Sequence, residues 1–249
     1  MKFLSLSQSA IVLLALWPER RKGCSMKAQD LYVGEKGAHY FEQRAQNRSS
    51  ETQRRRARYF EGFTKHDQVV LDFGCGTGGV LACLDAERRL GVEVSEYAAR
   101  EAREVLDAVF GDLSAVGDGT VDRIVTYHAL EHVDSPSRIL AEFHRVLKPG
   151  GAVRIFVPCE MPLLLRSHRA WKANDDMHLH SWTPLTLGNL LSVSGFEVER
   201  AEILPGSGGG RLGAMFGEGS KGKTLFSYLK SLRSGQFHTT VTARKKAGS

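Results

Sequence analysis

No two of the four cysteines (Cys24, Cys75, Cys83, Cys159) stand in a C-x-x-C pair. A zinc ribbon or a disulfide framework is therefore not indicated, and a reduced compartment is the better fit. No apolar stretch reaches the ~18 residues that a spanning helix needs. The run Ala10–Trp17 falls far short, and Trp17-Pro18-Glu19-Arg20-Arg21 follows it where a secretion signal would carry a small-x-small cleavage site. The expected location is cytoplasmic, with residues 1–28 a flexible tail. Charge of one sign is scarce too: 34 Lys and Arg against 28 Asp and Glu leave +6, too little alone to indicate a nucleic-acid binder. There is no internal repeat. With 42% hydrophobic residues the chain is neither disordered nor fibrous, and 249 residues allow one large α/β domain plus extras, or two small ones.

From residue 68 onward apolar runs alternate with amphipathic stretches, the pattern of a parallel sheet wrapped in helices. Strands are predicted at Val69–Phe73, Leu90–Val94, Ala108–Phe110, Arg123–Tyr127, Val153–Val157, Phe196–Ile203 and Phe237–Ala243. Helices are predicted at Gly79–Leu84, Tyr97–Val105, Ser137–Leu147 and Pro184–Ser194, the third stopped by Lys148-Pro149-Gly150-Gly151. Gly206–Gly222 reads as a glycine-rich connection. Residues 29–66 form a polar helical segment whose Tyr59, Phe60 and Phe63 suit a docking face, and residues 67–246 form one domain. Arg54, Arg55, Arg56 and Arg58 invite an RNA or anionic-substrate reading, against which stands a solvated helix face, the favoured alternative.

The stretch VLDFGCGTGG, Val70–Gly79, is the most informative. A strand ends near Asp72, then Gly74, Gly76 and Gly78 let the chain turn sharply and let a ligand approach the backbone. The following helix start offers N–H groups to a negative ligand group. Gly74, Gly76 and Gly79 also satisfy G-x-G-x-x-G, a weak dinucleotide signal by itself. Asp72 would repel a pyrophosphate but attract an ammonium, and Glu93 at the end of the second strand would grip ribose hydroxyls. A cofactor with a cationic amino-acid end and a ribose fits both acids, namely S-adenosylmethionine.

Residues Val69–Arg244 resemble the class I S-adenosylmethionine-dependent methyltransferases, in particular the small-molecule type 11/type 23 group. LDFGCGTGG, GVEVS, FGDL, DRIVTYHALEHVDSP and RVLKPGG occur in the order of that family's motifs. The resemblance implies a Rossmann-like seven-stranded α/β sheet with the last strand antiparallel and helices on both faces. It implies cofactor contacts from Asp72, Gly74, Cys75, Gly76, Gly78, Glu93 and Val94. Asp112 would meet the adenine amino group, with Leu113 beside the ring and His128 lining the methyl-donor pocket. Single members have plainer readings: Asp112 as a turn cap, Asp72 as a helix cap.

His128 and His132 are four apart, as metal ligands on a helix can be, but no third ligand is spaced to complete a site, so no metal is expected. Glu131 and His132 are expected to cap or brace the loop. The segment Cys159–Trp182, with Met161, Leu163, Leu164, Leu165 and Trp171, lies where related enzymes build an acceptor pocket or lid. His178 and His180 are the catalytic candidates, as proton acceptors or as pins of that lid, with Trp182 beside them. Cys159 after a proline raises an RNA cytosine chemistry for which no second cysteine element is present. The expected activity is methyl transfer to a hydroxyl or amine of a small-molecule acceptor by a monomer or homodimer, with no nucleic acid. The alternatives are an RNA or protein methyltransferase using the Arg54–Arg58 helix, and a non-catalytic cofactor-binding subunit.

Overall fold

A computed structural model describes residues 28–44, 48–159, 178–206, 221–234 and 236–246. The seven strands are β1 (Val69–Phe73), β2 (Arg88–Val92), β3 (Ala108–Phe110), β4 (Val121–Tyr127), β5 (Leu147–Cys159), β6 (Phe196–Pro205) and β7 (Phe237–Lys245). They form one sheet in the order β3-β2-β1-β4-β5-β7-β6. The first five neighbours pair in parallel, and β7 runs antiparallel to both β5 and β6. The expected architecture is therefore present. The helices are α1 (Gly34–Gln43), α2 (Ser50–Ala57), α3 (Gly79–Ala82), α4 (Glu96–Ala102), α5 (Pro136–Val146), α6 (Pro184–Val193) and α7 (Lys221–Ser234).

Alternate residues of each strand feed two cores, as the two-residue period of a sheet requires. Leu71, Ile124 and Ile155 join Leu140 and Phe143 of α5 and Leu187 and Leu191 of α6 on one face. Val70, Val125 and Phe156 join Ala57, Phe60 and Phe63, with Leu81 and Ala102, on the other. Phe60 and Phe63 thus dock on the sheet as their spacing suggests. Tyr59 stacks on Phe156 at 4.0 Å between ring centroids.

Among the departures from expectation, three have a clear physical reason. β2 is displaced two residues toward the N-terminus, because Arg88 and Arg89 pair with Val69 and Val70 although their side chains reach outward. Glu93 is consequently the first residue beyond the strand rather than its last. The Lys148–Gly151 stop does end α5, but the chain runs straight into β5 through a register shift opposite Val121 and Arg123, with Gly150 at φ 74°. α7 was not expected. It begins where the glycine-rich connection ends, and positions 207–220 of that connection lie outside the described residues. The expected tail also lies outside them, apart from Ala28.

Arg145 of α5 ties this frame to the loop after β3. Its guanidinium donates to Leu113 O and Val116 O, each at 2.9 Å, and to Glu142 Oε2 at 2.7 Å, and it also contacts Asp118. The turn Leu113–Ala115 is thereby fixed against α5, whose Leu140 and Phe143 share a core with Leu113 and Val116.

Candidate active site

The strand order reverses direction at β1, whose neighbours β2 and β4 lead the chain to opposite sides. Ligands of open α/β sheets bind beyond the carboxyl ends of the strands at such a switch point. A cavity of about 840 Å³ opens there. Its wall contains nine of the ten expected cofactor residues: Asp72, Gly74, Cys75, Gly76, Glu93, Val94, Asp112, Leu113 and His128. Gly78 is the exception. A Cβ on it would meet Leu106 Cγ and Val105 Cγ2 at 3.0 Å, so that glycine serves the packing of the loop on the chain after α4.

The loop after β1 is hung on the end of β2. Gly74 N and Cys75 N both donate to Val92 O, at 2.9 and 3.1 Å. Glu93 completes the attachment: its Oε2 accepts from Gly76 N and its Oε1 from Ser95 N, both at 2.8 Å. A carboxylate offers about four lone-pair sites, so these backbone bonds leave acceptor capacity for a ligand. Burial raises Glu93 above the usual carboxylate range, and these backbone bonds pull the other way. Asp72 is 3% exposed. Burial, then the neighbouring Glu93 carboxylate, hold it well above its ordinary pKa. A buried acid in that state is poised to gain from a cation.

Asp112 does cap a turn, Ser114 N donating to its Oδ1 at 2.8 Å, and this bonding to Ser114 holds its carboxyl below the usual range. It faces the cavity as well, so the capping and ligand readings coexist. Leu113, 3% exposed, lies beside it.

His128 takes φ 54°, the one positive φ outside glycine among the described residues. Its N–H donates to Phe156 O at 2.9 Å and its Nε2 lies 3.2 Å from His238 Nδ1. Its ring stacks on Tyr127, centroids 4.4 Å apart. Burial and the neighbouring His238 imidazole lower its pKa well below the ordinary value, so the pair is neutral near pH 7.

The two catalytic candidates separate. His178 stands in the cavity wall, whereas His180 is not among its lining residues. The Nε2 of His180 instead bonds Val133 O at 2.8 Å, so this histidine pins its segment to the turn after β4. Trp182 is buried in the core beside it, while Met161, Leu163, Leu164, Leu165 and Trp171 lie outside the described residues.

Sequence reasoning missed the other wall. Tyr32, Tyr40 and Phe41, with Arg44, Arg48 and Arg56, reach the cavity from the N-terminal helices, and Arg138 reaches it from α5. The basic run of α2 is thereby split: Arg54 bonds its own helix at Ser50, whereas Arg56 lies over the Tyr127 ring at 5.3 Å. The available signal was the aromatic group Tyr32, Tyr40 and Phe41 among the charges of that segment, to which the sequence reading gave no role.

Two glycines make the loop possible in different ways. A Cβ on Gly74 (φ 74°) would lie 2.5 Å from Ala129 Cβ, while one on Gly76 (φ 54°) meets only Phe41 Cε1 at 3.6 Å. Gly74→Ala is expected to cost about 2–4 kcal/mol of stability, combining overpacking with backbone strain. Gly76→Ala should cost about 1–2 kcal/mol, the left-handed conformation alone. Urea denaturation of the two variants checks the difference.

A sequence profile of the methyltransferase domain matches residues 40–201, well over half of the chain. A ubiquinone biosynthesis O-methyltransferase of Caulobacter vibrioides is 36% identical over 107 residues, 37% of this chain and 39% of that protein. The 24-methylenesterol C-methyltransferase 2 of Arabidopsis thaliana is 27% identical over 156 residues, 57% and 38% of the two chains. The first three curated relatives are matched over only 28%, 52% and 38% of their own lengths. Among solved structures, a SAM-dependent methyltransferase from Archaeoglobus fulgidus superposes with TM-score 0.61 at 21% identity, over 83% of this chain and 100% of that one. By its matched domain, its motif order and its sheet, this chain belongs to the class I S-adenosylmethionine-dependent methyltransferases.

Proposed function

We propose that the protein moves a methyl group from S-adenosylmethionine to a hydroxyl or amine of a small-molecule acceptor. One observation carries the reading: three acids from three consecutive strand ends, Asp72, Glu93 and Asp112, line one cavity around the glycine loop. They match the three polar parts of that cofactor in order along the sheet. Asp72 suits the ammonium, Glu93 the ribose hydroxyls and Asp112 the adenine amino group, with Val94 and Leu113 as apolar neighbours of the ring. Gly76 fits the same cradle, because its missing Cβ leaves the loop open toward the ligand. Arg44, Arg48 and Arg56 offer partners for a carboxylate.

When bound, this cofactor supplies a methyl carbon on a sulfonium sulfur, which departs as a neutral thioether as the acceptor's lone pair forms the new bond. The chain's task is to align two molecules and exclude water, and no covalent nucleophile is needed. The cavity, near the upper end of ordinary ligand pockets, has room for a cofactor with a small acceptor. Tyr32, His128, His132 and His178 wall the part of it away from the glycine loop. An acceptor seated there loses its proton at this imidazole-lined wall, and His178 is the lid-side histidine in position to act on it.

Two measurements test the reading. A carboxyl with a raised pKa in the folded protein adds stability that is complete below its unfolded pKa and is lost as pH rises through the folded value. The ammonium of a ligand reverses this cost. S-adenosylhomocysteine binding should therefore release protons, and affinity should climb as pH rises above the ordinary carboxylate range, levelling once Asp72 is ionised without ligand. Calorimetry in buffers of different ionisation enthalpy reads the release, and Asp72→Asn should abolish it. Separately, His178→Ala should lower kcat by about 10²–10⁴ with cofactor affinity retained. His180→Ala should cost about 1 kcal/mol of stability from the lost Val133 bond and change kcat less than tenfold.

A further inference from the structure

The turn after β4 carries Glu131 and His132, and the segment entering α6 carries His178. One ligand-capable atom of each lies within 4.8 Å of the other two. Neither sequence spacing nor the cofactor reading accounts for this grouping.

The cluster is built rather than incidental. Leu179 N and His180 N both donate to Glu131 O, at 2.9 and 3.2 Å, so backbone bonds hold the two segments together at the cluster itself. His132 Nδ1 lies 3.0 Å from Tyr32 Oη, and its Nε2 faces Glu131 Oε1 at 3.8 Å. In the tautomer whose Nδ1–H donates to the tyrosine oxygen, Nε2 presents its lone pair toward the carboxylate, the form that metal ligation requires. An imidazole fixed through one nitrogen and presenting the other is the usual outer-shell arrangement of a metal ligand. The His178 ring sits edge-on to that of His132, centroids 4.9 Å apart. Glu131 itself is fully buried, with His128 Nδ1 and His132 Nε2 each 3.8 Å from its Oε1.

We propose that Glu131, His132 and His178 bind a divalent transition-metal cation of the zinc class. Two imidazoles and one carboxylate are the ligand set of zinc sites that keep a fourth position open. Bonds of about 2.0–2.1 Å place tetrahedral ligand atoms about 3.3 Å apart; the His132–Glu131 pair stands at 3.8 Å and the whole grouping within 4.8 Å, so the three side chains close in on the ion as it binds. His132 and His178 both face the cavity, so the open position points at the space assigned to the acceptor. A cation there lowers the pKa of a bound hydroxyl and holds the resulting oxyanion, the proton passing to solvent, so that with the ion bound His178 acts as its ligand and the ion takes over the base role given to this histidine above. The acceptor class is then one with an ionisable hydroxyl. This last step rests on the proposed function, whereas binding of the ion does not.

The test titrates zinc chloride into the chelator-stripped full chain by calorimetry, follows cobalt(II) absorption in parallel, and titrates S-adenosylhomocysteine into the same samples. We expect one zinc per chain and the intense visible bands of tetrahedral cobalt. Glu131→Gln, His132→Ala and His178→Ala should each weaken zinc at least tenfold, and Tyr32→Phe, which removes only the outer-shell partner, by about tenfold. S-adenosylhomocysteine binding reports that each variant is folded. The proposal is overturned if the wild-type chain shows no saturable zinc site, or if a folded Glu131→Gln/His178→Ala double variant binds zinc as tightly. Zinc binding without any S-adenosylhomocysteine binding would contradict the methyltransferase reading and leave the ion site standing.

Discussion

The attachment of the glycine loop to the end of β2 is the constraint on which the site depends. Val92 O receives two consecutive loop N–H groups, and the Glu93 carboxylate receives a third from Gly76 while also holding Ser95 at the start of α4. A loop with φ 74° at Gly74 and 54° at Gly76 has no regular secondary structure to satisfy its backbone. These bonds do so, and they fix the distance between Asp72 and Glu93 on adjacent strands. The cost is electrostatic. Two buried acids beside one another both have raised pKa values, and Asp72 is raised well above its ordinary value. Such a pair is a poor stability device and a good ligand trap, the pattern expected where a positively charged group is to be recognised.

The opposite wall is made differently. Around the glycine loop the backbone supplies the shape, whereas from Tyr32 to Arg56 long side chains reach into the cavity from α1 and α2. Arg48 holds α1 to α4 by bonding Phe41 O at 2.8 Å and Glu101 at 2.7 Å. Tyr32 bonds His132 across 100 residues of sequence. The segment before the N-terminal helices is thereby joined to the turn after β4, so the two halves of the cavity share one wall.

The sheet was legible because its signals are local. Short β-branched and apolar runs, glycines beyond a strand and Pro-Gly after a helix each act within a few residues, and β1 and β3 coincide with their expected bounds. β2 was misplaced because Arg88 and Arg89 look like solvent residues while their backbones belong to the ladder. The acids around the glycine loop were legible because each lies at a strand's end or within two residues beyond it. The wall away from the glycine loop was not, because it is assembled from Tyr32, His132, His178 and Arg56, which only tertiary pairing brings together. His178 and His180 look equivalent in DMHLHSW, yet His180 bonds Val133 O while His178 stands in the cavity wall.

The central claim is that the Glu93 carboxylate both builds the loop and grips a ribose-bearing sulfur cofactor. Calorimetric titration of S-adenosylhomocysteine and of NAD into the wild-type chain and into Glu93→Ala tests it most directly. The account predicts micromolar binding of the sulfur compound, none of NAD, and a loss of about 1–3 kcal/mol in the folded variant from orphaned charge-assisted hydrogen bonds. Unchanged affinity in a folded Glu93→Ala chain, or tight NAD binding with no response to S-adenosylhomocysteine, would contradict it.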